Sequence, residues 1–396
     1  MAENKVTSER AGWQEPQVDG SVVFIPKDLP PSPSIDMSGS LWQLTGEAER
    51  RLGWLSGYAQ TLPSADSFGH IVLAKEAVYS SQLEGSEITV ADLLTWQIRA
   101  ESEGSAVAAA ELRLATNCME AITWGIAELD RRELGTDLLI ALHQKLFGTV
   151  RGRDGDAGRL RQSEIWIGPP GSTIQTARYV PPLARLVPEL VERAMIFANS
   201  DTSTPTLVRI ALFYYQLETT FPFVDGSGRV ARLMISLLLS RERDVRPDLI
   251  SLSAFFARDR AERFHWLERV RERGDWEGWV SYFLRGIREA VDESVAMINS
   301  ALKMRRQHVA LCEATFRRSS STVTALLDWL LGHPVVSVDG VAQTIGRSFA
   351  NANQLVSRFE KMGLLVEVTG RRRNRHYCYE PYLRLFETER TGANGP

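Results

Sequence analysis

Apolar residues recur at helical spacing along most of this 396-residue chain, and the pattern is sharpest in its middle. Phe213, Leu217 and Phe221 fall four apart and predict one helix face. Pro222 argues for a break there, because it lacks an N–H and disfavours helix in the residue before it. Val230, Leu233, Met234, Leu237 and Leu238 then restart the period as a second amphipathic helix. Upstream, Leu41, Leu44, Ala48, Leu52 and Leu55 predict a helix capped by Ser38 or Ser40, and a further helix spans roughly Gly69 to Gln82. Gly85 reads as its terminator, with Ser86 opening the next helix. Two more helices fall within 107–150, through Ala109, Leu112, Ala115 and Met119, and through Leu138, Leu139, Leu142 and Leu146.

Three stretches depart from the helical period. Residues 1–35 are polar and Pro-rich and predict an extended arm, with Val22, Val23 and Phe24 pairing or tucking onto the body. The Gly-, Pro- and Thr-rich run from Arg151 to Pro182 predicts a surface β-hairpin or flap, with Trp166-Ile167-Gly168 and Tyr179-Val180-Pro181 as its arms. Beyond a long helix from about Trp276 to Arg317 and a linker at 317–321 comes a third pattern. It runs helix (Val323–Leu331), short strand (Val335–Val338), helix capped by Asp339, turn at Gly346, helix (Ser348–Met362) and a hairpin with the basic tip RRRNR. That order is a winged helix-turn-helix.

Composition adds limits. With 44% apolar and 24% charged residues and a net charge of −3, the chain is an ordinary globular protein with no global attraction for nucleic acid or anionic membrane. The three cysteines are scattered, show neither metal-ligand nor disulfide spacing, and predict a reducing, cytoplasmic setting. The Leu233–Leu239 stretch is too short to span a bilayer, and MAENKVTSER has no apolar signal core.

The candidate chemistry lies between the two central helices. Gly226, Ser227 and Gly228 leave the backbone free to turn its amides inward at a helix N-terminus, where an anion is favoured. Arg229 and Arg232 lie three apart and share a helix face suited to neighbouring phosphates, and Asp225 could hold Mg²⁺ against them. FPFVDGSGRVAR resembles the signature loop of the Fic family, H-P-F-x-[D/E]-G-N-G-R-x-x-R, matching it at Pro222, Phe223, Asp225, Gly226, Gly228, Arg229 and Arg232. Ser227 replaces the family Asn, and Phe221 stands where the family has its catalytic His.

The resemblance implies a fold and an activity. Family members mostly transfer AMP from ATP to a hydroxyl of a target protein, the His taking the hydroxyl proton. It also gives meaning to Ser80-x-x-x-Glu84-Gly85, which is similar to the family's inhibitory motif; carried over, Glu84 would pair with Arg232. The flap would hold a target backbone by strand addition through Trp166, Ile167, Gly168, Tyr179 and Val180. Phe255, Phe256, Phe264 and Trp266 could wall an adenine pocket, although core packing is the commoner use of such residues. The expected chain is therefore mainly α. It has an arm (1–35), a helical region with the inhibitory motif (36–106), a Fic core with a β-hairpin flap (107–316) and a winged helix-turn-helix domain (317–396).

A phenyl ring accepts no proton at any pH, and losing a general base costs about 10²–10⁴-fold in rate. Two expectations follow: a protein that binds Mg-ATP or another nucleotide with impaired transfer, or an active adenylyltransferase using a different base or substrate. Its partners would be the nucleotide, a protein hydroxyl, DNA, or a second copy of the chain. For DNA, Ser348 and Asn351 open the third helix of the winged domain, and Arg371, Arg372, Arg373 and Arg375 suit phosphates. Against it, residues 322–390 hold nine Lys/Arg and seven Asp/Glu, a weak basic excess that fits a dimerising or docking module as well.

Overall fold

The computed structural model describes residues 8–60, 62, 65–98, 106–150, 154–200, 203–243, 246–316 and 320–386. It opens with a hairpin, β1 (Gly12–Pro16) antiparallel to β2 (Val22–Pro26), with Trp13 opposite Ile25. Within the arm, residues 12–26 thus form a closed hairpin, with Val22, Val23 and Phe24 paired in its second strand. Its turn is written in Asp19-Gly20: Asp19 accepts the Ser21 N–H at 3.0 Å, and Gly20 takes φ +83°, a conformation that favours glycine.

Helices follow in order: α1 (Ser40–Ala59), α2 (Ala65–Leu83), α3 (Val90–Ile98), α4 (Ala106–Leu129), α5 (Thr136–Phe147), α6 (Val187–Ser200), α7 (Thr206–Thr220), α8 (Ser227–Arg243), α9 (Leu252–Arg258), α10 (Arg260–Arg273) and α11 (Trp276–Thr315). The remainder is α12 (Ser320–Leu330), β3 (Val335–Ser337), α13 (Val338–Ile345), α14 (Phe349–Lys361), β4 (Val366–Glu367), β5 (His376–Cys378) and α15 (Glu380–Leu383). Two sequence expectations need correction. Helix α3 is opened by Thr89, whose hydroxyl accepts the Asp92 N–H at 3.1 Å, and not by Ser86. Helix α13 is capped by Ser337, which accepts from Gly340, so Asp339 lies inside its first turn. No helix among the described residues is long and apolar enough to cross a membrane. Cys118, Cys312 and Cys378 are buried. The linker residues 317–319 lie outside the described residues.

The chain forms two compact units, each discontinuous in sequence. One gathers residues 1–52, 117–247 and 255–289 around α7, in which every residue from Leu207 to Thr220 is buried. A helix hidden on all faces needs apolar partners all round. Tyr214 stacks on Phe256 at 5.4 Å, Tyr215 meets Trp276 edge-on at 4.6 Å, and the Trp279 indole donates to the Ala211 carbonyl at 2.8 Å. Phe255 and Phe256 are therefore core, whereas Phe264 is exposed and Trp266 half-buried.

The other unit gathers residues 53–116, 248–254 and 290–396. It contains the C-terminal elements α12 to α15, whose sheet has the order β3-β5-β4 with Val335 and Val366 both opposite Cys378. These elements share their core with α2: the rings of Phe68 and Phe386 lie 5.5 Å apart, and a Cβ on Gly332 would stand 2.2 Å from Ser67 Oγ. Arg305 on α11 reaches Asp328 on α12 at 2.9 Å, and His308 meets the Tyr379 hydroxyl at 2.6 Å. Within α2, Glu76 is buried and accepts from Ser251 Oγ and the Ser253 N–H at 3.0 and 2.9 Å, capping α9.

Phe386 is fully buried beneath Phe68. Phe386→Ala is expected to lower stability by about 3–5 kcal/mol, measured by urea denaturation followed by circular dichroism.

Candidate active site

The signature residues form a buried turn between α7 and α8. Helix α7 ends at Thr220, and Phe221, its C-cap, takes φ 47° and ψ 71°. A left-handed conformation costs a residue with a Cβ about 1–2 kcal/mol, so the surroundings must hold it. They do so through carbonyls. Arg161 Nε donates to the Phe221 carbonyl at 2.7 Å, its Nη2 to the Thr220 carbonyl at 3.3 Å, and its backbone N–H to the Pro222 carbonyl at 2.9 Å. These carbonyls terminate a helix and have no partner within it. Burial lowers the Arg161 pKa from its ordinary value, while Glu164 at 3.6 Å acts the other way.

The far side of the turn rests on α5. The Gly158 N–H donates to His143 Nδ1 at 2.9 Å, so that nitrogen carries no proton, and Nε2–H donates to the Asp225 carbonyl at 3.0 Å. The imidazole is therefore neutral and stacks on Phe223 at 3.8 Å. Gly226 sits at φ +78°, where an added Cβ would stand 2.2 Å from Phe147. Here glycine is required twice, by conformation and by space. The Ser227 hydroxyl accepts from the Phe223 N–H and donates to the Phe223 carbonyl, each at 2.9 Å, so it closes the turn on itself.

Helix α8 begins at Ser227, and its first-turn amides have no helical acceptor before them. Asp225 is exposed at this end, while Arg229 and Arg232 are buried. Arg232 stands 3.8 Å from Glu218 on α7, whose other oxygen accepts from Arg263 on α10 at 3.0 Å; Arg263 also reaches the Tyr214 hydroxyl at 3.3 Å. All three charged side chains are nearly solvent-free, and burial raises the Tyr214 pKa. Phe221 is half-buried, with the Tyr179 ring 6.3 Å away.

The flap carries a single bridge, Ile167 to Tyr179, with N–H···O distances of 2.8 and 3.0 Å. Trp166 is exposed, its indole donating to the Ser172 carbonyl at 2.9 Å, and a Cβ on Gly168 would stand 2.6 Å from Ser172 Oγ. Strand β2 joins the second arm, the Phe24 N–H donating to the Val180 carbonyl at 3.0 Å over a core of Val23, Ile25, Val180 and Leu183. Tyr179 is buried, donates to the Thr219 carbonyl at 2.6 Å and lies under the Arg271 guanidinium at 4.2 Å.

These residues match known proteins. Residues 133–239 match the Fic/DOC family, and residues 42–127 match the Fic/DOC family N-terminal region. The chain belongs to the Fic/DOC family. Protein adenylyltransferase fic-1 of Caenorhabditis elegans is 30% identical over 112 residues, 28% of this chain and 20% of that protein. Protein adenylyltransferase Fic of Drosophila grimshawi is 26% identical over 159 residues, 40% of this chain and 28% of that one. The matched regions thus span less than a third of these relatives' length. The crystal structure of a Fic family protein from Desulfovibrio desulfuricans G20 aligns with a TM-score of 0.56 at 18% identity, covering 87% of this chain and 97% of that one, and shows the shared fold.

The remaining sequence candidates lie in the other unit of this Fic protein. Helix α2 ends at Leu83, so Ser80 is buried within it, while Glu84 is exposed in the following turn beside Gly85 at φ +96°. Ser348 is the N-cap of α14, accepting the Asn351 N–H at 3.4 Å, and the Asn351 side chain is exposed. Between β4 and β5, Arg372 and Arg373 are exposed and Arg371 half-buried, while Arg375 donates to Asn353 at 3.4 Å. Sequence reasoning missed Arg161, His143, Glu218 and Arg263. Their partners are backbone carbonyls or charges distant in sequence, which leave no periodic or local signal.

Glu218→Gln is expected to cost about 3–5 kcal/mol of stability in chemical denaturation, because it leaves buried guanidiniums without their carboxylate. Burial lowers the His143 pKa below its ordinary 6.5, with the Asp225 carbonyl and nearby carboxylates acting the other way. The folded state thus binds fewer protons than the unfolded chain below that value. Its contribution is complete above pH 6.5 and is lost as the pH falls through 6.5 towards the depressed value. His143→Gln is expected to flatten this part of the stability–pH profile, read from thermal melts between pH 7 and 5.

Proposed function

We propose that this Fic protein binds the phosphates of ATP at the α8 N-terminus but transfers AMP poorly, because Phe221 occupies the position of the family base. The single observation that carries this reading is the state of the imidazole nearest the turn. His143 uses both ring nitrogens on backbone groups, so no proton acceptor from it is left to substitute for the missing one. Gly226, Ser227 and Gly228 supply the amides of the cradle, and Arg229 and Arg232 its charge. With the Ser227 hydroxyl turned to Phe223, the phosphate contacts at that residue fall to its backbone N–H.

A magnesium ion fits this donor set. Asp225 offers one exposed carboxylate at the turn, and no cluster of three or more His, Cys, Asp or Glu among the described residues could hold a metal. That suits an ion held by one or two carboxylates together with substrate phosphates. Such an ion would neutralise phosphate charge and orient the nucleotide. The flap arms Trp166–Gly168 and Tyr179–Val180 would hold a target segment carrying a hydroxyl, and Glu84, beside Ser80, would restrain Arg232. The winged domain would bind DNA through Ser348 and Asn351 on α14 and through Arg371, Arg372, Arg373 and Arg375 on the wing. A cytoplasmic setting would keep the three buried thiols reduced.

Calorimetry is expected to show Mg-ATP binding, tighter in Glu84→Gly; absence of binding in both forms would end the nucleotide reading. With labelled ATP, the native chain is expected to give negligible self-modification, and Phe221→His combined with Glu84→Gly to gain about 10²-fold or more. Robust transfer by the native chain would establish the active-enzyme reading instead. A DNA gel shift at low salt, weakened by Arg372→Ala with Arg373→Ala, tests the winged domain. A shift seen only as self-association in sedimentation would favour dimerisation.

A further inference from the structure

We infer that Arg161 is the positioning residue that fixes the flap against the signature turn. This rests on the nucleotide reading above and concerns how the two halves of that site keep their spacing. Arg161 belongs to neither half. Its side chain is 0% exposed, and it lies in the irregular segment leading into the flap. Towards the flap it donates to the Ser163 carbonyl at 3.2 Å, three residues before the first arm, and to the Pro182 carbonyl, just after the second. Towards the turn it donates to the carbonyls of Thr220, Phe221 and, through its backbone, Pro222.

One planar group with five N–H donors therefore ties the base of the flap to the backbone of the left-handed residue. The flap has one bridge of its own, and this joint adds to the ties made by β2 at Val180 and by the Tyr179 hydroxyl at the Thr219 carbonyl. Glu164 reinforces the joint: it pairs with Arg161 at 3.6 Å and accepts the Ala184 N–H at 3.1 Å, just past the second arm. Lysine cannot replace this fork, having three donors at one point and no planar spread. A displacement of about 1 Å between reacting groups can cost 10²-fold, so a single buried guanidinium is a sufficient control point.

Amide hydrogen exchange on the full chain, with and without Mg-ATP, tests this. In the native protein, nucleotide is expected to raise protection both in the turn and at Ile167 and Tyr179. Arg161→Lys is expected to lose about tenfold protection at Ile167 and Tyr179, and to lose their response to nucleotide. A general loss of stability would instead lower protection throughout α7 and leave the flap's response intact, which overturns the inference, as would native-like flap protection in the variant. Should Arg161→Lys fail to fold, Glu164→Gln is the second arm: about threefold lower protection at the same two amides supports the joint, and no change refutes it. If the native protein binds no Mg-ATP, the nucleotide reading falls, yet the ligand-free difference at Ile167 and Tyr179 still decides the role of Arg161.

Discussion

The turn between α7 and α8 depends on satisfying carbonyl groups that a helix end leaves behind. Helix α7 is buried on every side, so water cannot accept this duty, and an unpaired buried carbonyl costs about 1–3 kcal/mol. Arg161 supplies donors to these carbonyls, and His143 donates to the Asp225 carbonyl on the far side of the turn. With these bonds in place the chain can pass through a left-handed residue at Phe221 and reverse into α8. The exposed carboxylate of Asp225 and the buried arginines that follow take their positions from that reversal.

Electrostatics around α8 follow the same logic of enclosure. Arg232 and Arg263 lie among apolar groups, and each would be costly there without a counter-charge. Glu218 faces both, one oxygen at hydrogen-bond distance from Arg263 and the other at 3.8 Å from Arg232. The latter distance is a Coulomb contact rather than a hydrogen bond, so Glu218 acts on Arg232 there through charge. The turn and the interior of its unit are thus joined by charge as well as by packing.

The second unit shows how far a linear reading of domains can differ from contact. The winged elements announce themselves in sequence as a separate module after a long helix. In space they share a core with α2, through Phe68 against Phe386 and Ser67 against Gly332. The same helix carries Ser80 and is followed by Glu84, so the segment resembling an inhibitory motif belongs to the same compact unit as the C-terminal elements.

The sequence by itself determined the elements and the chemistry that local rules govern. Spacing by three and four marked α7 and α8, Pro222 marked the break, and Gly226-Ser227-Gly228-Arg229 marked the turn as Fic-like. It also announced what is missing, since Phe221 has no lone pair wherever it lies. What the tertiary structure decided was the set of partners. Arg161, His143, Glu218 and Arg263 acquire meaning only through carbonyls and charges brought from 14 to 60 or more residues away in the chain. The N-terminal arm became a hairpin laid on the flap because Val23, Ile25, Val180 and Leu183 could bury one another. Backbone acceptors are the same at every residue, and burial is a property of the whole. Neither can be written in a local pattern.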